Sequence, residues 1–485
     1  MNPRSLARRL PAALVCLLVV AAYGFFASGG TYDFPRIKWS DSRYASQAEG
    51  FTRGQLNMAH EPDPRLRDLP DPYNFQMREA AGIFYVWDAS YYRDKYYLYF
   101  SPLPIFLVYL PLKWLRGAYP PDSFVALVLC VWSFLMAVAF TRRALRHAPR
   151  RYIPLPLWIA LIGLGNVIPF HLVEIRMYEI AIIAGMAMTS TWAYALLRFI
   201  EEPSRKSVLW MAFWLALSIA ARPNLGVLLL IAAIAIWRAS PDRRAVLRLF
   251  AWALIPLGIV CLSMLAFNQV RFHQPLEFGV KYQLTYVPMR DYKVCSLCSI
   301  PEAVRLVNGM IHYLFWPPTV GSEFPFADSQ VNRVDPSVTF PGGAEPIIGI
   351  AVLVPLTMLG AFFALLLVSG KRARDPGSRA GVHLVAGSWL VMAGLSACWW
   401  VVARYSLDFM TLMTAGSIVA IEAGLGFFEA NDFSLRPMRI TIALLATFSI
   451  VVGFCLGFMG PYYAFKRNFP EMYKTLEKPF AKTKS

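Results

Sequence analysis

The sequence predicts an all-α protein that crosses a membrane about eleven times, and two observations carry that reading. Hydrophobic residues make up 57% of the 485-residue chain and charged residues only 16%, with a mean hydropathy of +0.46. A soluble fold would have too little polar surface to cover so much apolar material, so the bilayer must act as its solvent. The apolar residues also come in stretches of the length a helix needs to cross about 30 Å of hydrocarbon, roughly 17 to 25 residues.

These stretches fall near residues 11–28, 122–140, 153–170, 178–198, 207–221, 224–237, 249–267, 346–369, 382–402, 408–428 and 439–460. Basic residues then orient them, because lysine and arginine accumulate on the cytoplasmic side. Arg4, Arg8 and Arg9 precede the first stretch, and basic loops at Arg142 to Arg151, Arg198 to Lys206, Arg238 to Arg248, Lys371 to Arg379 and Arg436 to Arg439 alternate with the spans. The pattern places the N-terminus in the cytoplasm and the protein in the inner (cytoplasmic) membrane. Two long segments on the opposite side, 29–121 and 268–345, carry nearly balanced charge. The net charge of +17 is therefore mostly a topology signal. No nucleic-acid partner is expected, since no compact basic domain exists to present that charge.

The chain accordingly divides into residues 1–121 (first helix and first outer segment), 122–267 (helices two to seven), 268–345 (second outer segment), 346–460 (helices eight to eleven) and a basic tail, 461–485. An odd number of spans leaves the tail, with Lys466, Arg467, Lys474, Lys478, Lys482 and Lys484, on the outer side. Either the charge rule is locally broken or one span is miscounted. A secretory signal is the alternative for the first stretch, but its long core and the loose cleavage match at Ala27-Ser28-Gly29 favour an uncleaved helix. Both readings leave the next residues outside.

Cys16, Cys130, Cys261, Cys398 and Cys455 fall inside apolar stretches, which excludes a disulfide scaffold. Cys295 and Cys298 lie in the second outer segment as Cys-Ser-Leu-Cys. A local disulfide is the expectation there if that side is oxidising, since a zinc site would need a second nearby pair.

The first outer segment opens with Trp39-Ser40-Asp41-Ser42-Arg43-Tyr44. Asp41, Tyr44, Ala45, Ala48 and Phe51 recur at helical spacing and Gly54 offers a stop. Asp41 is thus both a candidate catalytic base beside the membrane and a candidate N-cap, a role Ser40 could share. Residues 57–88 lose periodicity and fill with proline and charge. The aromatic run Trp87 to Phe100 follows, suited to a membrane–water interface, and contains Asp88 and Lys95. Leu103 to Leu115 is too short to span and is broken by Pro104 and Pro111, so it is expected to lie along the membrane surface or to dip in and return.

A first span, an outer segment opening on Asp41-Ser42-Arg43-Tyr44-Ala45 with Gly54, surface-lying helices and a bundle of further spans resemble the GT-C superfamily of membrane glycosyltransferases. The segment is similar to the Asp-Glu-x-Arg-Tyr-Ala motif of aminoarabinose transferases and protein O-mannosyltransferase-like enzymes. Ser42 stands where those families carry glutamate, so a two-carboxylate arrangement does not transfer. Tyr91 to Pro104, Ala221-Arg222-Pro223-Asn224, Phe267 to Tyr282 and Arg404-Tyr405-Ser406-Leu407-Asp408-Phe409 also look like bacterial members.

The resemblance implies a sugar donor on a polyprenyl phosphate, and a glycan, lipid or protein acceptor in the cell envelope. Phosphate is a good leaving group, so fixed positive charge matters more than a general acid, and arginine matches phosphate oxygens with a planar fork. Arg176, Arg222, Lys281 and Arg404 all fall at the outer side and are candidate substrate-binding residues, with Tyr44 and Lys95. Charge at membrane depth is expensive and often functional, although Arg404 could simply pair with Asp408, and Arg176 with Glu174 or Glu179. Asp41 is the first candidate to take the acceptor hydroxyl proton and Asp88 the second.

No metal ligand is assigned. His171, Glu174 and Glu179 match no specific site, while the resemblance leaves room for a divalent ion. A polysaccharide ligase or polymerase would share the lipid-linked donor. A transporter would show internal repeats and charged, broken helices at mid-membrane, and a scaffold would not need the carboxylate and arginine arrangement.

Overall fold

The computed structural model describes residues 3–148, 150–286, 288–291, 300–329, 346–370, 373, 375–397 and 401–480. Cys295, Cys298 and Cys398 lie outside the described residues. The chain is a helical bundle whose sheet content is limited, among the described residues, to two small hairpins, Ser90–Tyr92 with Lys95–Tyr97 and Thr319–Val320 with Ala327–Asp328. Among the described residues, six helices are long and apolar enough to cross a membrane, within Leu10–Ser28, Asp122–Ala144, Met177–Glu201, Arg243–Phe272, Met410–Glu429 and Arg436–Asn468. The remaining predicted spans fold as helices that are shorter, interrupted or less apolar.

Two interruptions have clear local causes. The stretch predicted as one span at 153–170 is two helices, Leu155–Leu164 and Ile168–Leu172. Asn166 separates them by turning its side chain onto the backbone, accepting from Ile168 N at 2.7 Å and donating to Ile162 O at 2.6 Å, which competes with the helical ladder. The stretch at 346–369 breaks before Pro355 into Ile350–Leu353 and Leu356–Ser369, because proline supplies no amide hydrogen and excludes helical geometry in its predecessor.

The Met177–Glu201 helix is the axis of the bundle and is buried along nearly its whole length. Its small residues admit neighbours closely, as expected where lipid offers no hydrophobic drive between helices. At Gly185 a Cβ would lie 2.7 Å from Arg222 Cγ, so this glycine makes room for an arginine that matters below. At the other end of the bundle the buried Glu422 carboxylate accepts from Tyr152 N at 2.8 Å, Ile153 N at 3.1 Å and Trp158 Nε1 at 2.8 Å. It thereby satisfies amides just before a helix start that would otherwise be orphaned.

In the first outer segment the helix runs from Arg43 to Thr52. Its N-cap is Ser42, one residue beyond the expected pair, accepting from Ala45 N at 3.3 Å. Gly54 ends it at φ +76°. Tyr44, Ala45, Gln47 and Ala48 form the buried stripe. The run expected to lie on the surface is helical from Ile105 to Arg116. At about 1.5 Å per residue it is too short to cross. It leaves Phe106, Trp114 and Leu115 exposed while Tyr109 and Leu110 are buried, and Lys113 fastens it to Glu49 at 2.6 Å.

The tail packs at the end of the bundle that carries the outer segments. Arg467 pairs with Glu174 at 2.6 Å, Tyr463 donates to Asp328 at 2.8 Å, and Tyr473 donates to Phe324 O at 3.2 Å. Phe469 closes over Gly29, where a side chain would collide with its ring. The tail thus contacts both nearly neutral segments, at Gly29 in the first and at Phe324 and Asp328 in the second.

Candidate active site

One cavity of 1220 Å³ opens where the two outer segments meet the helix ends. Of the residues singled out from sequence, Asp88, Arg176, Arg222 and Arg404 line it, whereas Asp41, Tyr44, Lys95 and Lys281 do not.

Asp88 is held there by long-range pairing. Its N–H donates to Leu284 O at 3.0 Å, Leu284 N returns a bond to Ala89 O at 3.0 Å, and Ser90 bridges to Gln283. Arg43, from the Arg-Tyr-Ala motif, donates from Nε to Trp87 O at 3.0 Å. These contacts hold Asp88 at φ +58°, a left-handed conformation that aspartate tolerates better than most residues. The carboxylate is 8% exposed and accepts a hydrogen bond from Tyr178 Oη. Burial pushes its pKa from 3.8 up to about 6, against the lowering charges of Arg43, Arg404 and Arg176. Desolvation dominates because a carboxylate loses more by leaving water than distant cations restore.

Beside Asp88 runs a ladder of alternating guanidinium groups and tyrosine rings. The Cζ of Arg176 lies 5.7 Å from the Tyr178 ring centre, and that of Arg404 lies 5.0 Å from Tyr178 and 5.4 Å from Tyr405. Arg222 Cζ lies 5.2 Å from the Tyr405 ring centre. Each ring offers its negative face to a cation, so three like charges share one wall. Carboxylates pair with Arg222 and Arg176. Asp408 pairs with Arg222 at 2.9 Å and also accepts from Asn224 Nδ2 at 3.0 Å. Glu179 lies 3.5 Å from Arg176 Nη2 and accepts from Arg176 N at 3.0 Å. Asp408 thus meets Arg222, not Arg404 as its sequence neighbourhood suggested, because the end of the 205–221 helix and the turn at 403–408 converge.

The other sequence candidates have different settings. Asp41 is exposed and closes its own turn, accepting from Lys38 N at 2.9 Å and Ser40 Oγ at 3.2 Å. Tyr44 is buried and stacked on Tyr109 with ring centres 5.8 Å apart. Lys95 is exposed on its hairpin. Lys281 pairs with Glu277 at 3.1 Å and donates to Gln274 at 2.8 Å.

His171, Glu174 and Glu179 do not converge on a metal. Glu174 serves Arg467 and Glu179 serves Arg176, and no group of three or more metal-ligating side chains occurs among the described residues.

Tyr178 and Arg271, which also line the cavity, were not named individually as site candidates from the sequence. Tyr178 carries no signal beyond its place two residues after Arg176. Arg271 does carry one: an arginine in the last turn of a helix whose previous 22 residues hold no charge is the kind of costly charge that marks a site.

The cavity also has an apolar part. Val260, Ser263, Met264, Phe267, Asn268 and Arg271 line it from one face of the Arg243–Phe272 helix, at the three- and four-residue spacing of one helical face. From Arg271 down to Val260 that face spans about 16 Å. The opposite face is exposed, with Leu254, Ile259 and Leu262 outward.

Fold and cavity define a multi-pass, all-α membrane protein with a polar site at one end of the bundle. No family model matches the chain, and no curated protein sequence matches it. Among solved structures it is similar to the oligosaccharyltransferase of Archaeoglobus fulgidus in its apo form, with a TM-score of 0.48 and 12% identity over 97% of this chain. The chain spans 59% of the length of that protein.

Proposed function

We propose that the protein is a GT-C-type membrane glycosyltransferase that moves a sugar from a polyprenyl-phosphate donor to an acceptor hydroxyl of the cell envelope. Its site faces outward from the cytoplasmic membrane, and its N-terminus is cytoplasmic. The observation that carries this reading is the composition of one cavity: a desolvated carboxylate, an arginine wall beside it and an apolar face along the Arg243–Phe272 helix. Such a cavity suits a ligand with a hydrocarbon chain, an anionic head and a group to be transferred.

In this reading the chain of the donor lies along the 260–267 face and its phosphate meets Arg404 and Arg222. The bond between the sugar carbon and the phosphate oxygen opens with its electron pair going to phosphate, where the guanidinium groups stabilise the charge. The acceptor oxygen forms the new bond to carbon and passes its proton to Asp88. A carboxylate of pKa about 6 is still mostly ionised at pH 7 and is a stronger base than an ordinary aspartate. Tyr178, tied to both the carboxylate and the ladder, fixes the base relative to the phosphate wall.

Asp88 takes the role for which Asp41 was the first sequence candidate, because Asp41 does not line the cavity. The test is mass spectrometry of lipid-linked sugars and envelope glycans in cells carrying wild-type, Asp88→Asn or Asp41→Asn protein. The reading requires lipid-linked sugar to accumulate, and one glycan to lose that sugar, in the Asp88 variant alone. An unaltered profile in that variant overturns the assignment.

A further inference from the structure

Arg271 is 5% exposed, lines the cavity and belongs to a different wall from the arginine–tyrosine ladder. Its partners are neutral: Nη1 donates to Leu98 O at 2.9 Å and Nη2 to Asn268 Oδ1 at 2.7 Å. Nε has no hydrogen-bond partner among the described residues. The guanidinium is packed between aromatic rings, its Cζ 3.9 Å from the centre of Phe267 and 4.8 Å from that of Phe272. Glu277, a neighbouring carboxylate, is engaged by Lys281 at 3.1 Å and by Gly279 N at 2.6 Å. Among the described residues no carboxylate forms an ion pair with Arg271.

A buried guanidinium paired only with neutral groups is costly, because its desolvation is not repaid by an opposite charge. The helix C-terminus and the two rings offset part of that cost. The side chain is also preorganised: Asn268 Nδ2 donates to Pro275 O at 3.2 Å, which turns its amide oxygen toward Arg271. A charge held in place, desolvated and facing a cavity is suited to an anion supplied by a ligand.

We propose that Arg271, oriented by Asn268, is a second anion site of this cavity and takes a phosphate group. Met264 and Val260, two and three turns below it on the same helix face, give that phosphate an apolar path for an attached chain. The site takes either the head of a lipid phosphate, whose chain follows that path, or free phosphate. The proposal rests on the reading of the cavity as a lipid-phosphate site and deepens it, since the ladder beside Asp88 then is one of two anion positions.

The test is thermal unfolding of the full-length protein in detergent, titrated with farnesyl phosphate, inorganic phosphate and farnesol. Farnesyl phosphate is expected to raise the Tm, and Arg271→Gln to raise its half-maximal concentration at least about tenfold, as loss of charged hydrogen bonds implies. Arg271→Lys keeps the charge without the fork and is expected to raise it several-fold; it serves if the glutamine variant does not fold. A shift with farnesyl phosphate alone identifies the lipid headgroup. An equal Arg271-dependent shift with inorganic phosphate identifies the free ion. Half-maximal concentrations unchanged in the Arg271 variants overturn the proposal.

Arg404→Gln separates the two readings. If it abolishes the farnesyl phosphate shift while Arg271→Gln does not, the lipid-phosphate reading of the cavity stands and the Arg271 site falls. If farnesol shifts the wild type as much as farnesyl phosphate does, or neither shifts it, both fall.

Discussion

Asp41 and Asp88 belong to the same outer segment, and both lie close behind a tryptophan in an aromatic context. Asp41 takes its partners from residues 38 and 40 and remains exposed. Asp88 takes its contacts from Tyr178 and Leu284 and is buried, with its pKa pushed to about 6. A carboxylate satisfied within its own turn has its needs met before the chain folds, whereas one held by distant elements can be desolvated and aimed. Motif context points to the first and tertiary structure to the second.

The contrast breaks most decisively on Asp88→Asn. Loss of a general base implies a fall in transfer of about 10²- to 10⁴-fold, measured as sugar released from lipid-linked donor by the purified protein. Asp41→Asn is expected to change the same rate less than about twofold and the stability by less than about 1 kcal/mol, as for a surface turn.

Asp408 extends the comparison to a carboxylate whose partner is distant but which holds a cation. Asp408→Asn leaves Arg222, half-buried on the cavity wall, without its counter-charge. Breaking a fully buried pair costs about 3–5 kcal/mol; with one partner partly exposed a smaller loss is expected, to be read as lowered thermal stability in detergent. The double variant Asp408→Asn, Arg222→Met should recover most of that loss, though not donor binding. A double variant as unstable as the single one would mean the pair is not what holds these elements together.

The pH dependence is a finer test. Asp88 must be ionised to accept a proton, so transfer is expected to fall on the acid side with a midpoint near its pKa of about 6. Stability runs the other way. A folded-state pKa raised above 3.8 means that this group's stabilising contribution is complete below about pH 4 and is lost as pH rises through about 6. Arg43 lowers the Asp88 pKa, so Arg43→Met should move the acid limb of the rate profile to higher pH. A profile that stays in place would separate Arg43 from the titration of Asp88 and leave it only the tie to Trp87 O.

Much of the architecture was legible because it depends on quantities that a sequence carries directly. Apolar length located the long helices, and Pro104 with Pro111 marked the helix too short to cross. The unbroken span at 153–170 was misread because Asn166 ends a helix only by turning its amide onto particular backbone atoms, which apolar content does not record. At the site, Arg222 and Arg404 were legible as charges at helix ends. Their arrangement around Tyr405, and the pairing of Asp408 with Arg222, were not, since they depend on how two distant helix ends meet.

The sequence by itself determined a helical, many-times-crossing membrane protein with two long, nearly neutral segments between its apolar stretches, because hydropathy and charge are local properties. Only the tertiary structure decided which carboxylate is desolvated, which cavity arginine forms no carboxylate ion pair among the described residues, and what the basic tail packs against. Desolvation and ion pairing are set by neighbours remote in the chain: Leu284 and Tyr178 for Asp88, Leu98 for Arg271, Glu174 for Arg467.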